Sequence, residues 1–273
     1  KVKSGDGVEN AIELADAARP YSNYNRKLIE LQKKFNQDLW THINQYTGIA
    51  YKDDPAIVMV EVINEGDMFK KDRPVNVDPY RSELIEMYRN WLSEKNLKLP
   101  EGEIDFASDD KVMLDFLRET QEKYYIEMME HMRSIGVKIP ITGTNWSISA
   151  ANRRAQVATD FCDGHTYWYT WKWGENHKEF NNKPMVAEVD TVLPELSFSR
   201  LLDRPFFVSE WDEPWPNEWR AESPVFMAAA GMLQGWSGFA IHTYTYSTMT
   251  GIDRTGKEVS SQAIGSVPYR EGV

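Results

Sequence analysis

Two glutamates in this sequence stand where chemistry would be done. Glu65 closes the apolar run that begins at Ala56, in the order Val62-Ile63-Asn64-Glu65-Gly66, and Glu210 closes Pro205-Phe-Phe-Val-Ser209 just before Trp211. A carboxylate at the end of a buried strand is either the partner of an Arg or Lys or a catalytic group, because an unpaired buried charge is too costly to keep without use. Two such glutamates on separate strand ends, with His, Tyr and Trp at the other strand ends, favour catalysis. Hydrolysis of a glycosidic bond needs such a pair: one carboxyl protonates the leaving oxygen while the other attacks the anomeric carbon. The two must then differ in pKa, one kept protonated by its surroundings and the other kept charged by donors.

The elements that must position them follow from periodicity. Leu28, Leu31, Phe35, Leu39 and Ile43 recur at spacings of three and four, which predicts an amphipathic helix over 25–43. The β-branched, nearly continuous run 56–63 predicts a parallel strand buried on both faces. Helices are expected over 81–95, 111–135 and 225–234, with Gly136 closing the second, and further strands over 138–144, 161–168, 205–209 and 238–243. Strand and helix in alternation predict an α/β fold with a parallel sheet wrapped by helices. No Gly-rich phosphate loop follows any of these strands, which disfavours the nucleotide-binding version and favours a TIM (β/α)8 barrel. About five strands are found where a closed barrel needs eight. Residues 1–24 hold no convincing strand, and nothing after Val267 resembles a final helix. The expectation is one catalytic barrel domain over 1–273, truncated at both ends and holding about strands four to eight.

The same residues resemble a known group. Asn64-Glu65 at one strand end and Glu210 at a later one are similar to the signature of clan A glycoside hydrolases, and the stretches YTGIAYKDDPAIVMVEVINE (46–65) and EWDEPWPNEWRAE (210–222) resemble bacterial relatives of the cellulase family, family 5. The resemblance implies that 56–63 is the fourth barrel strand and 205–210 the seventh, with Glu65 as acid/base and Glu210 as nucleophile. It implies that Asn64 binds the sugar 2-hydroxyl, and that His165 and Tyr167 form a His-x-Tyr pair whose phenol contacts the nucleophile. A neutral supporting role for His165 and simple rim packing for Tyr167 stay open beside it. The implied activity is a retaining O-glycoside hydrolase acting on a β-linked glycan or glycoside, its two carboxyls about 5 to 5.5 Å apart. A secreted or cell-envelope setting follows from the resemblance alone.

Eight of the ten tryptophans fall between 146 and 236, most at or just past strand ends, where sugar C–H faces stack on aromatic rings. Trp146 and Trp211 are the expected platforms, and Trp219 and Trp236 are expected in the core. Family 5 enzymes commonly carry a Trp after the eighth strand; this chain reads Thr243-Tyr-Thr-Tyr246, so Tyr244 is the candidate there.

Composition narrows the partners. A formal charge of −11 without a basic cluster excludes nucleic acid as an expected partner, whereas a neutral carbohydrate meets no such penalty. No apolar run reaches the roughly 18 residues of a spanning helix, so no membrane partner is expected. Cys162 is the only cysteine, expected as a small buried hydrophobe, and the histidines lack metal-site spacing, so neither metal nor cofactor is expected. Glu61 is expected to make an internal polar contact, Glu188 and Asp190 to lie on a loop rim, and His242 to be structural. Two rival readings remain at this point: a transglycosylase using the same glutamates, and a catalytically silent carbohydrate-binding barrel.

Overall fold

A computed structural model describes residues 4–14, 18–69, 75–146, 148–168, 182–213 and 217–242. The chain divides into two compact units, 1–161 and 162–273. The expectations for Tyr244 and for the chain end after Val267 lie outside the described residues.

The first unit is mainly helical. Short helical turns α1 (Ala11–Leu14) and α2 (Ala18–Tyr21) precede α3 (Arg26–Trp40), α4 (Tyr80–Glu94), α5 (Lys111–Ser134) and α6 (Ala150–Gln156), while β1 (Val60–Glu61) and β2 (Ile141–Thr142) form a two-stranded parallel sheet. The longest helix, α5, starts where Asp110 accepts the N–H groups of Val112 and Met113 at 2.9 and 3.2 Å, a cap that satisfies two otherwise orphaned donors. It buries Met113, Phe116, Leu117, Thr120, Tyr124, Met128 and Met132, a stripe at helical spacing. It ends where Gly136 turns at φ +98° and Val137 N–H returns to Met132 O at 3.0 Å, closing the last turn as predicted.

Two expectations are revised in this unit. Leu28 is buried on α3, but Phe35 and Ile43 are 62% and 60% exposed; Ile29 and Trp40 fill the core-facing side instead. The period was right and the buried face is rotated toward Ile29 and Trp40. The run 56–63 is also not a strand buried on both faces: regular strand is confined to Val60–Glu61, and Val58 is 63% exposed. Asp54 takes the N–H groups of Ala56 and Ile57 into a turn, at 2.9 and 3.1 Å, and this holds the start of the run out of the ladder. Ladder bonds do continue past β1, from Val62 N–H to Thr142 O (2.9 Å) and from Ile63 N–H to Gly143 O (3.1 Å).

The second unit is a three-stranded parallel sheet in the order β3 (Cys162–Tyr167), β4 (Phe206–Asp212), β5 (Gly238–Ile241). Helix α7 (Val192–Ser199) lies between β3 and β4 in sequence, and α8 (Ser223–Gln234) between β4 and β5. Cys162, Val192, Leu196, Phe206, Val208, Trp211 and Met227 form its core, so the lone cysteine is a buried apolar group. Every pairing between the named strands is parallel, as an α/β fold requires. No helix among the described residues is long and apolar enough to cross a membrane.

Candidate active-site residues

In the first unit, the chain leaves β1 and reverses at Asn64-Glu65. Glu65 adopts φ +49°, a left-handed conformation that costs a side-chain-bearing residue about 1 kcal/mol or more. Asn145, at the end of β2 and fully buried, supports that turn: its Oδ1 accepts Glu65 N–H at 3.2 Å. Its Nδ2 donates to Glu61 Oε1 at 2.5 Å and to Asn64 Oδ1 at 3.3 Å. Thr144 Oγ1 accepts Gly66 N–H at 3.0 Å, and Gln156 ties Thr144 O back to α6 at 2.5 Å. Gln121 of α5 accepts Met68 N–H at 2.7 Å and donates to Asn152 at 2.6 Å. A buried, hydrogen-bonded amide network of this kind fixes a loop more rigidly than its individual bonds suggest. It sets the backbone of Glu65 while the glutamate side keeps partial exposure.

In the second unit, β4 carries one residue more than its neighbours. Asp163 pairs with Phe207 but His165 pairs with Glu210, and on the other side Val208 pairs with Phe239 but Trp211 with Ile241. Such a bulge re-aims side chains at the end of a strand. Here it places Glu210 directly opposite His165. The N–H of Ser209 bonds a side chain, Asp163 Oδ1 at 2.9 Å, which also accepts Gly164 N–H at 2.8 Å. Asp163 Oδ2 accepts the Ser209 hydroxyl at 2.5 Å, and the same hydroxyl meets His165 Nε2 at 2.9 Å.

Glu210 lies at the end of this chain of bonds. Its Oε2 accepts the Tyr167 phenol and stands 3.4 Å from His165 Nδ1. The His165 side chain is 1% exposed and that of Glu210 21%, so the ring is fixed while the carboxylate reaches the surface. The Tyr167 ring rests edge-on against His242, at 6.2 Å and 85°. Burial raises the carboxyl pKa of Asp163, with the Ser209 hydroxyl opposing the shift. Burial likewise pushes Asp212 up to about 7, with Glu213 beside it adding to the effect. Glu213 is itself pushed up to about 7, by burial and then by the Glu222 charge.

Solved structures similar to this chain include two glycan-cleaving enzymes. One is a glycoside hydrolase family 5 mannosidase from Rhizomucor miehei, with TM-score 0.48, 12% identity, 84% of this chain covered and 50% of that chain. The other is an endo-β-1,4-mannanase from Thermotoga petrophila, with TM-score 0.48, 13% identity, and 81% and 42% covered. The chain thus spans about half the length of these structures. No family model matches the sequence, and no curated protein does.

The two units hold the expected residues as follows. Asn64 is exposed and leans on Asn145, and Trp146 beside it is 36% exposed. Glu61 makes a polar contact, with Asn145. His165, Tyr167 and Glu210 are brought together as one hydrogen-bonded group. Trp211 was expected on the rim; its ring is instead 3% exposed and packed edge-on against Phe239 in the core. Strand alternation explains the difference, since Glu210 and Trp211 point to opposite faces. Asn145, Asp163 and Ser209 were missed. Asn145 ends the run Ile141-Thr-Gly-Thr144, and a search of strand ends that included amides would have found it.

Proposed function

We propose that this chain carries the two catalytic carboxyls of a retaining O-glycoside hydrolase acting on β-linked sugars, and that its parallel strands are about strands four to eight of a (β/α)8 barrel. Glu65 gives a proton to the glycosidic oxygen as the bond to the anomeric carbon breaks and a Glu210 oxygen bonds that carbon. Glu65, now a carboxylate, takes a proton from water; the water oxygen bonds the anomeric carbon, the ester to Glu210 breaks, and both groups return to their starting states. Asn64 binds the sugar 2-hydroxyl, with Trp146 as a stacking face.

The observation that carries this reading is the Tyr167 phenol on Glu210 at the end of β4. A donor fixed on a partly exposed carboxylate keeps it charged and aimed, which is what a nucleophile needs and what a carboxylate serving only as an ion-pair partner would not require. The test is turnover of aryl β-glycosides and β-linked polysaccharides by the chain within its full gene product, beside Glu65→Ala and Glu210→Gly. Both variants should lose hydrolysis. Azide should then restore turnover with opposite product anomers, β from Glu65→Ala and α from Glu210→Gly, because it occupies the space of the carboxyl removed. Parental activity in either variant would remove its assigned role.

A further inference from the structure

The Ser209 hydroxyl lies between Asp163 Oδ2, at 2.5 Å, and His165 Nε2, at 2.9 Å, and it has one proton to give. We propose that Asp163 and Ser209 are positioning residues, a relay that sets which nitrogen of His165 carries hydrogen and so presents an Nδ1–H to Glu210. The assignment rests on the reading of Glu210 as the nucleophile.

With Asp163 protonated, its O–H donates to Ser209 Oγ, and Ser209 passes its own proton toward His165 Nε2. The neutral ring then carries its hydrogen on Nδ1, the atom 3.4 Å from Glu210 Oε2. With Asp163 charged, Ser209 donates to Asp163 and must accept from Nε2–H, so Nδ1 holds a hydrogen only if the ring is an imidazolium. The nitrogen beside a charged Glu210 is thus a donor in the first arrangement with a neutral ring, and in the second only with a charged one. The excluded case is a neutral ring with a bare Nδ1 lone pair against the carboxylate, which is repulsive. The ring has no route to reorient through water, because its side chain is 1% exposed. Burial raises the Asp163 carboxyl pKa, which favours the first arrangement.

Asp163 also fixes the distance over which the relay works. Its Oδ1 takes the N–H groups of Gly164 and Ser209 beside the bulge of β4, and that bulge brings Glu210 opposite His165. One carboxyl therefore holds the bulge and orders the protons.

The experiment is nitrogen-15 NMR of His165 in the full chain across the neutral pH range, for the parent, Asp163→Asn, Ser209→Ala and Ser209→Thr. The parent should show a protonated Nδ1. Asp163→Asn should keep that signature, since the carboxamide N–H donates to Ser209 as a protonated acid would. Ser209→Ala should lose it, and Ser209→Thr, which retains the hydroxyl, should restore it. In the full gene product Ser209→Ala should lower kcat by tenfold or more at little change in KM and shift the pH profile, with Ser209→Thr recovering both. A bare Nδ1 in the parent, or an Nδ1–H that survives Ser209→Ala, overturns the relay. The NMR result needs no turnover, so a relay that behaves as expected while the full gene product hydrolyses no β-linked sugar would sink the functional reading and leave the relay standing.

Discussion

Tyr167 donates its phenol proton to Oε2 of Glu210, the same oxygen that His165 Nδ1 faces at 3.4 Å. Two partners on one oxygen orient the carboxylate, and under the proposed function Oε1 is then the atom presented for attack. Hydrogen bonds to charged groups are worth about 1.5 to 3 kcal/mol, and each 1.4 kcal/mol is about tenfold in rate. Tyr167→Phe should therefore slow formation of the glycosyl-enzyme by roughly tenfold to a hundredfold, with binding of the ground-state substrate nearly unchanged. Single-turnover kinetics would read this directly. A loss confined to KM would mean that Tyr167 binds sugar and does not tune Glu210.

The left-handed conformation of Glu65, φ +49°, makes a prediction about stability. Alanine normally beats glycine by about 0.5 to 1 kcal/mol because glycine loses more freedom on folding. At a positive φ the order reverses, since only glycine avoids the Cβ clash. Glu65→Gly should therefore be more stable to urea than Glu65→Ala by about 1 kcal/mol, and both should be inactive. An alanine variant as stable as the glycine one would show that the turn relaxes when the glutamate is removed.

How far the sequence showed these features depended on which force set them. The second unit was legible: strands expected over 161–168, 205–209 and 238–243 appear as Cys162–Tyr167, Phe206–Asp212 and Gly238–Ile241, the last two because short apolar runs between turn residues had one way to bury themselves. Helix α5 was legible for the same reason. Helix α7 was not among the expected helices; its signal was Thr191, whose hydroxyl caps Leu193 N–H at 3.2 Å, followed by a proline in the first turn. The bulge of β4 was not legible, since no residue type marks it. Its function depends on a side chain from another strand, Asp163, and such pairings appear only when the register is known. Asn145 was legible only as an amide at the end of an apolar run; its meaning comes from Glu61, Asn64 and Glu65 converging on it.

The approach of β2 to α5 leaves no room at Gly143. A Cβ there would lie 2.5 Å from the ring of Tyr125, which is fully buried, so something must shift. Overpacking of this kind costs about 1 to 3 kcal/mol. Gly143→Ala should lower the thermal midpoint of the chain. It should also disturb the Glu65 turn, because Gly143 O receives Ile63 N–H and the next two residues, Thr144 and Asn145, hold Gly66 and Glu65. Amide exchange at Glu65 and Gly66 faster than in the parent would check the second effect. Unchanged stability would mean that Tyr125 moves aside freely.

Asp212 and Glu213 make stability depend on pH in a direction opposite to most carboxylates. Their ordinary values are 3.8 and 4.5, and burial pushes both up to about 7 in the folded chain. Between those limits the folded state holds protons that the unfolded state has released, so stability falls as pH rises from about 4 to about 7 and is level above. Glu127 works the other way. Hydrogen bonds first from Arg26 and also from Lys33 lower it from 4.5 to about 2, so its contribution is present above 4.5 and is lost as pH falls toward 2. The two windows barely overlap and can be separated by mutation. Asp212→Asn and Glu213→Gln should flatten the decline between about 4 and 7 without touching the acid limb, and Glu127→Gln should flatten only the acid limb. Urea midpoints measured at a series of pH values would show this. A parent whose stability rises between pH 4 and 7 would mean that Asp212 and Glu213 are charged in the folded chain, and that a cation or a donor compensates them.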